Sequence, residues 1–460
     1  MAAPSQPVRY RPETTILELG DAFYDVVASA RFPEARLRFR NDRAAASVGL
    51  DDLTDVEWIR HFGHFEPLPG GLTEPLALRY HGHQFRVYNP DIGDGRGFLF
   101  AQLRDDRDRL MDLGTKGSGQ TPYSRFGDGR LTLKGGVREV LATEMLEALG
   151  VETSRSLSLI ETGEALERGD EPSPTRSSVL VRLSHGHIRI GTFQRLAYER
   201  DAENMTRLIG YVLRHFYGES TGGDAPARLL NHVVGSTARL AANYMAAGFV
   251  HGVLNSDNIN VTGESFDYGP WRFAPSWNPA FTSAYFDHSG LYAFGRQPEA
   301  IHWDAAQLAV SLRLLSEAEP LIAVLETFGE LYQRAVAEAI LWRLGVRPRD
   351  PESDRSLVRA VERALRGTAS SIDRFFFDAF GGQLPASSPY DGEAWTEVRA
   401  ALAAHEPRSS RDHPYWHSAG PCSMLIDEVE AIWAPIAEGD DWSRFDDKIV
   451  AVRELGEALK

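Results

Sequence analysis

The segment at residues 251–269, HGVLNSDNINVTGESFDYG, carries side chains that could bind a metal ion and move a proton. Asn258 and Asp267 offer oxygen atoms of the kind that Mg²⁺ or Mn²⁺ accepts, and the phosphates of ATP could complete the coordination shell. Asp257, beside Asn258, could take a proton from an attacking hydroxyl. A short hairpin that turns at 262–264 would bring both ligands to one end. We therefore expect a metal-assisted transfer site in this segment.

The spacing in this segment matches part of the catalytic loop of protein kinases. In that loop an asparagine lies seven residues after a histidine, as Asn258 does after His251, and the Asp-Tyr-Gly at 267–269 resembles the metal-binding Asp-Phe-Gly. The kinase base, two residues after the histidine, is replaced by Val253. Each piece has a simpler alternative, because Asp and Asn are common turn residues and the last aspartate could cap a strand. The order of all the pieces after a long helix-like segment favours a nucleotide site.

A lysine and a glutamate upstream have the order that binds nucleotide phosphates in kinases. The chain has four lysines among its 49 lysine and arginine residues, so a lysine in a strand-like segment, here Lys116, is informative. Glu139 follows 23 residues later, near the start of an amphipathic helix predicted over 137–150. In kinases a strand lysine holds the phosphates and pairs with a helix glutamate. The alternative is two solvated side chains that never meet, but beside the other motifs we expect the pair to form.

Glycine-rich stretches and arginines could hold phosphate groups nearby. GDGRG at 93–97 precedes a predicted strand, and its glycines would let backbone N–H groups approach a phosphate closely. On this pattern alone, a tight hairpin turn is the better interpretation. A second stretch, GSGQTPYSRFGDGR at 117–130, lacks the Gly-Lys-Ser/Thr ending of a P-loop. The arginines singled out by their context are Arg96, Arg125, Arg130, Arg182 and Arg189, of which the last two lie just before and within SHGHIRIG on strand-like sequence.

Strand-like segments dominate the first half of the chain, and helix-like segments dominate the second. FLFAQL at 98–103 and DRLMDLGTKG at 108–117 predict two strands, and further strands are expected in SLSLIETG and SSVLVRLSHGHIRIGTF. From about residue 199 onward the apolar periodicity is mostly helical. We predict an α+β fold with two lobes in a kinase-like arrangement. The strand-rich N-lobe with one main helix would span 1–195, and the large helical C-lobe 196–460. An unrelated α+β protein would fit the same coarse pattern.

Composition and charge narrow the class of protein. The net charge of −16 argues against broad binding of nucleic-acid phosphates, so no nucleic-acid partner is expected. No segment approaches the roughly 18 consecutive apolar residues of a membrane span, and the start, MAAPSQPVRY, lacks the pattern of a secretory signal. The single cysteine, Cys422, excludes an intrachain disulfide and suits a reducing compartment. We therefore expect a cytoplasmic protein without a membrane partner.

Longer stretches of the sequence resemble one protein family, selenoprotein O, also called the YdiU family. The stretches are YHGHQF (80–85), LGTKGSGQTPYSRFGDGRLTLKGGVREVLATEML (113–146), HGVLNSDNINVTGESFDYGPW (251–271) and FDHSGLYAFGRQP (286–298). The resemblance covers roughly residues 75–345 and continues more weakly toward the end. The block around Lys116 is its most specific part.

The resemblance implies a kinase-like fold of two lobes that lacks the usual catalytic aspartate. Members of the family bind ATP in a flipped orientation and transfer AMP, not phosphate, to Ser, Thr or Tyr hydroxyls of proteins. UMP transfer with Mn²⁺ is also attributed to bacterial members. By motif, Asp257 would be the base and Asn258 and Asp267 the ligands of Mg²⁺ or Mn²⁺, while Glu139 would pair with Lys116. The expected nucleotide-binding residues are Gly93, Gly95, Arg96, Lys116, Asp128, Gly129, Arg182 and Arg189.

The sequence departs from the family at its end, and three functions are compatible with it. Many members carry a short tail with cysteine or selenocysteine, whereas this sequence finishes RELGEALK, so the redox role of such a tail is not carried over to it. Cys422 is interpreted as structural. The three functions are AMP transfer to protein hydroxyls, phosphoryl transfer with Asp257 as a displaced base, and a non-catalytic nucleotide-binding scaffold. The first two use the same residues and differ in which phosphorus is attacked. The intact set of phosphate and metal ligands counts against the scaffold.

Overall fold

A computed structural model describes residues 9–169, 171–387 and 389–460. It is a mixed α/β structure in which the long strands come first and most of the helices follow, as the sequence predicts. The strands are β1 (Pro12–Glu13), β2 (Tyr24–Val26), β3 (Arg36–Arg40), β4 (Leu76–Leu78), β5 (Gly82–Gln84), β6 (Val87–Asn89), β7 (Leu99–Arg104), β8 (Leu110–Lys116), β9 (Leu131–Thr132), β10 (Arg155–Leu166), β11 (Thr175–Ser184), β12 (Phe249–Val250) and β13 (Arg272–Phe273). The α-helices are α1 (Asp42–Ala46), α2 (Asp55–Phe62), α3 (Leu133–Ala148), α4 (Ile190–Glu199), α5 (Ala202–Tyr217), α6 (Ala225–Ala247), α7 (Gln297–Leu312), α8 (Ala318–Leu325), α9 (Phe328–Arg343), α10 (Pro351–Thr368), α11 (Ile372–Ala379), α12 (Thr396–Leu402), α13 (Ile426–Gly439) and α14 (Ser443–Ala458).

An antiparallel sheet is the scaffold of the first half. Its strands lie in the order β2-β4-β7-β8-β11-β10-β3, with β1 paired to β7 and β9 paired to β11. The strands predicted at 98–103 and 108–117 are β7 and β8, with ends that differ by one or two residues. Every residue of β8 is buried, because this strand lies in the middle of the sheet with both of its faces covered.

The register of β8 against β11 places two predicted site cations on one face of the sheet. Lys116 lies opposite Leu180, and Gly114 lies opposite Arg182. Cross-strand partners point to the same face, and so do residues two apart along a strand. Lys116 and Arg182 therefore project from the same face.

The helix predicted over 137–150 is α3, which begins earlier, at Leu133. Thr132 supplies the start signal, since its hydroxyl accepts a hydrogen bond from the Gly135 N–H at 3.1 Å. Leu141, in the middle of the helix, is fully buried. The helix contacts β10, β11 and α14, so both the sheet and the end of the chain cover it.

Two local predictions are wrong. The strand expected to continue past 184 ends at Ser184, and Arg189 immediately precedes α4 instead of lying on a strand. The possible hairpin between Asn258 and Asp267 does not pair with itself. Its backbone instead pairs elsewhere, through bridges from Asn260 to Arg189 and from Ser265 to Thr153. Backbone groups must find partners, and here the neighbouring segments supply better ones than the local turn.

The largest hydrophobic core joins parts of the chain that are far apart in sequence. It includes Leu141 of α3, Val233 of α6 and Val452 of α14, so side chains from both sides of the predicted boundary at 195 pack together. The boundary itself stays a prediction. Within the described ranges, no helix is both long and apolar enough to cross a bilayer.

We expect Leu141→Ala to lower the free energy of unfolding by about 2–5 kcal/mol, because it leaves a cavity in a fully packed core. Urea denaturation followed by tryptophan fluorescence measures this loss. Val450→Ala is the control, because that side chain is 58% exposed and its loss should change stability by no more than about 0.5 kcal/mol. Equal effects of the two substitutions would contradict the placement of α3 in the core.

Candidate active site

A cavity of about 820 Å³ is lined by the sheet, the loop at 117–130 and the segment at 251–269. Every predicted site residue except Glu139 lines it, although they come from segments far apart in the sequence. These residues are Gly93, Gly95, Arg96, Lys116, Asp128, Gly129, Arg182, Arg189, Asp257, Asn258 and Asp267. Their placement is thus as expected, while their individual roles stay predictions.

Lys116 and Glu139 form the expected ion pair, and both side chains are almost fully buried. The Lys116 ammonium also donates to the Tyr268 carbonyl at 3.1 Å. Burial lowers the pKa of Lys116, and the carboxylate of Glu139 opposes that shift. A cation held this way is positioned by two fixed partners and still faces the cavity, which suits an anionic ligand.

Asp267 is the carboxylate around which the inner wall is built. It accepts hydrogen bonds from the guanidinium groups of Arg182 and Arg189, and all three side chains are mostly buried. Burial alone would raise the pKa of Asp267, but these two cations, with Lys116 nearby, hold it well below its ordinary value. The backbone there is left-handed, with a φ of 60°, a conformation uncommon outside glycine. The local strain is typical of a functional position.

Arg189 connects Asp267 to the rest of the cavity wall. Its guanidinium donates to the Asp257 backbone carbonyl at 2.9 Å and lies 3.3 Å from an Asp94 carboxylate oxygen. It also lies over the ring of Tyr80, with 4.5 Å between the guanidinium carbon and the ring centroid. Sequence reasoning missed Asp94, although it lies between the two singled-out glycines of GDGRG.

Asp257 has the properties of a general base. It is mostly buried, and its Oδ1 has no hydrogen-bond partner among the described residues. Burial raises its pKa to about 6, although Arg189 opposes the shift. A carboxylate with a raised pKa is a stronger base than an exposed one and is still mostly ionised at neutral pH.

The loop that carries Asp257 is held by the YHGHQF segment, whose role the sequence does not reveal. The Ser256 hydroxyl accepts from the His83 N–H at 2.7 Å, and the Asn255 side chain accepts from the Phe85 N–H at 3.0 Å. The hydroxyl of Tyr292 donates to the same Asn255 oxygen at 2.8 Å. The hairpin of β5 and β6 therefore positions the loop through backbone donors.

Gly82 in this hairpin packs directly against the candidate base. A Cβ atom at position 82 would lie 2.8 Å from both the Cβ and the Oδ1 of Asp257, closer than atoms of real side chains approach. Only glycine lets the hairpin and the Asp257 side chain occupy their positions together.

Asn258 and Asp267 could hold a divalent cation. The Asn258 side-chain nitrogen donates to the Val253 carbonyl at 3.0 Å, which leaves its carboxamide oxygen as the free acceptor. Among the described residues no cluster of three or more His, Cys, Asp or Glu could hold a metal ion unaided. Both carboxylate oxygens of Asp267 already accept from Arg182 and Arg189, so a cation would use their remaining lone pairs. Oxygen donors of this kind fit Mg²⁺ or Mn²⁺, provided that ligand phosphates complete the shell.

The GDGRG stretch is packed against the loop at 117–130. A Cβ atom at Gly93 would lie 2.5 Å from the Tyr123 ring, and one at Gly95 would lie 2.9 Å from the Tyr123 carbonyl oxygen. The close packing alone requires glycine at these positions. The turn is tight, and it also lines the cavity, while its contact with a phosphate stays a prediction.

Charged residues surround the rim of the cavity. Asp128 is paired with Arg168 at 2.8 Å, an arginine that sequence reasoning did not select. Arg130 is paired with Glu164 at 2.8 Å, whereas Arg96 is exposed and has no ion-pair partner among the described residues. Arg125 also lines the cavity, is exposed and has no ion-pair partner in the described part of the chain, so Arg96 and Arg125 are the rim cations most available to a ligand.

Comparison with known proteins defines the class of the chain. Residues 7–453 match the sequence model of a family described as "Protein adenylyltransferase SelO". Relatives named "Protein nucleotidyltransferase YdiU" are 42% identical in Synechocystis sp., over 98% of each chain, and 45% identical in Gloeobacter violaceus, over 96% of this chain and 95% of the relative. A third, from Synechococcus elongatus, is 43% identical over 94% of this chain and 92% of the relative. The chain is therefore an enzyme, a protein nucleotidyltransferase. It belongs to the SelO family, as the resemblance of its motifs indicates.

We expect Gly82→Ala to lower the rate of nucleotidyl transfer by about tenfold or more, since small displacements of a reacting group are costly. ATP affinity should change little, because Gly82 touches Asp257 and not the Lys116 or Asp267 side chains. Steady-state rates and ATP titration measure the two effects. Gly329→Ala is the matched control, as nothing lies within 4 Å of the added atom there. A wild-type rate for Gly82→Ala would contradict the assigned position of Asp257.

Proposed function

We propose that this enzyme transfers AMP from ATP to Ser, Thr or Tyr hydroxyls of proteins in a kinase-like site where ATP is reversed. One observation carries the proposal: Lys116, Arg182 and Arg189 are all buried in the inner wall of the cavity. Each cation is paired with a carboxylate, Glu139 or Asp267, but the Nε–H groups of both arginines have no partner among the described residues. Charged N–H donors of this kind suit a polyphosphate better than an uncharged adenine ring. The inner end therefore suits the β- and γ-phosphates, with the nucleoside toward the rim.

This orientation presents the α-phosphorus for reaction. The hydroxyl oxygen of the acceptor forms a new bond to the α-phosphorus, and the bond from that phosphorus to the bridging oxygen of the β-phosphate breaks. Pyrophosphate leaves, and the hydroxyl proton passes to Asp257. The buried cations would stabilise the negative charge that develops on the leaving pyrophosphate.

Each polar residue of the cavity has a task in this mechanism. Asp257 accepts the proton at a carboxylate whose pKa burial raises to about 6. Arg189 donates to the Asp257 carbonyl and so fixes the backbone of the base. Asn258 and Asp267 would hold Mg²⁺ or Mn²⁺. When bound, the cation would neutralise part of the phosphate charge. The low pKa of Asp267 keeps that ligand ionised.

Charge and the single cysteine bear on the surroundings of the enzyme. The net charge of −16 disfavours nucleic-acid partners. Burial raises the pKa of Cys422 to about 11, which makes its thiol a poor nucleophile and supports a structural role. We therefore infer a cytoplasmic enzyme whose macromolecular partners are its protein acceptors.

Parallel reactions with ATP labelled at the α- or the γ-phosphate test the proposal. With Mg²⁺ or Mn²⁺ and a cell extract as acceptor, we expect protein-bound label from the α position only. Label on protein hydroxyls from the γ position would establish phosphoryl transfer with a displaced base instead. No label from either position, together with measurable ATP binding, would leave a nucleotide-binding scaffold. Asp257→Asn should abolish transfer and retain ATP binding.

The raised pKa of Asp257 predicts the pH dependence of the reaction. The base must be deprotonated, so kcat/KM should rise with pH and level off above a pKa of about 6. Burial also raises the pKa of Glu264, to about 7, and this carboxyl lies outside the cavity that holds Asp257. Glu264→Gln is therefore the control, and the acid limb should persist in it. If the acid limb of the pH profile moves or vanishes in Glu264→Gln, the titrating group is Glu264 and not Asp257.

A further inference from the structure

The end of the chain packs on the helix that carries Glu139. Glu144 lies on α3, and its side chain is only 2% exposed. It accepts two hydrogen bonds from Arg453 of α14, at 2.8 Å from Nε and 3.0 Å from Nη2. Asn41 and Arg43 supply further donors, at 3.0 Å and 3.2 Å. A buried carboxylate with a two-pronged arginine partner is a strong, direction-specific contact.

Contacts from the same C-terminal pair of helices reach both ends of α3. Near the start of α3, Lys134 pairs with Glu430 of α13 at 2.7 Å. Near its end, α14 approaches so closely that a Cβ atom on Gly456 would lie 3.3 Å from the Ala148 Cα. The two helices α13 and α14 thus hold α3 along its length.

We propose that Arg453 and Glu144 are positioning residues that hold α3 where Glu139 meets Lys116. A helix moves as a nearly rigid rod, and Glu144 is little more than one turn beyond Glu139. Removing Arg453 would leave the buried Glu144 carboxylate undercompensated and free α3 to shift. The ion pair of Lys116 would then form in only part of the molecules. Where rates are the readout, this inference rests on the proposed function.

The docking of the C-terminal helices does not depend on Arg453 alone, so a variant should still fold. Asp440, at the end of α13, accepts from Arg176 of β11 at 2.6 Å and from Arg38 of β3 at 2.9 Å. Glu161 of β10 pairs with Arg176 at 2.6 Å as well. This second network anchors the same helices to the sheet.

The test compares Arg453→Ala with the conservative Arg453→Lys. We expect the KM for ATP to rise about tenfold in Arg453→Ala with kcat nearly unchanged, because saturating ATP restores the assembled site. Arg453→Lys, which keeps one charge but not the fork, should recover part of the loss. Without ATP, the α3 amides of Arg453→Ala should exchange faster than those of the wild-type protein. Saturating ATP should restore the wild-type exchange rate. Arg363→Ala is the control, since its partner Glu397 lies on α12 and both are exposed.

Two results for Arg453→Ala would overturn the proposal. The first is an unchanged KM for ATP together with unchanged amide exchange in α3. The second is fast exchange that ATP does not reverse, because it indicates a purely structural contact. If Arg453→Ala does not fold, Gly456→Leu pushes α14 away from α3 by another route and should show the same ATP-dependent exchange. If the wild-type enzyme transfers no label, the proposed function fails, while ATP affinity and amide exchange still decide the positioning role.

Discussion

The buried carboxylate of Asp267 and its two arginines are the interaction on which the site depends. Arg182 comes from the centre of the sheet, and Arg189 from the turn before the first helix of the helical half. These desolvated charges are tolerable only together, because the carboxylate compensates the two guanidinium groups and they compensate the carboxylate. The sheet and the segment at 251–269 must therefore meet at this point, and the cavity is the space left around that contact.

The charge of the inner wall gives the cavity its chemical character. Lys116 lines the cavity together with the two arginines, and so do the carboxyl groups of Asp94 and Asp257. Burial raises the pKa of Asp94 and Asp257, whereas the surrounding cations depress that of Asp267. Neighbouring carboxyls in one cavity thus differ in basicity, which is how a protein assigns separate tasks to similar side chains.

Structural support for the site comes from parts of the chain with no reactive group. The hairpin of β5 and β6 holds the loop of Asp257 through the N–H groups of His83 and Phe85, and it needs glycine at position 82 to come close enough. The C-terminal helices α13 and α14 contact α3, which carries Glu139. A substitution in either support is expected to disturb the site although neither Gly82 nor Arg453 lines the cavity.

Local patterns in the sequence determined the main elements. Periodicity predicted β7, β8 and α3, and the mostly helical character of the chain after about residue 199, because strand alternation and helical spacing are local properties of the sequence. The order of strand lysine and helix glutamate indicated the pair of Lys116 and Glu139, and family motifs supplied the other candidates. The tertiary structure alone decided that Arg189 precedes a helix, that Asp94 joins the site, and that Arg453 reaches Glu144. These contacts join residues as far apart as 309 positions, and no local pattern encodes them. The raised pKa of Asp257 likewise follows from burial, which exists only once the distant segments have packed around it.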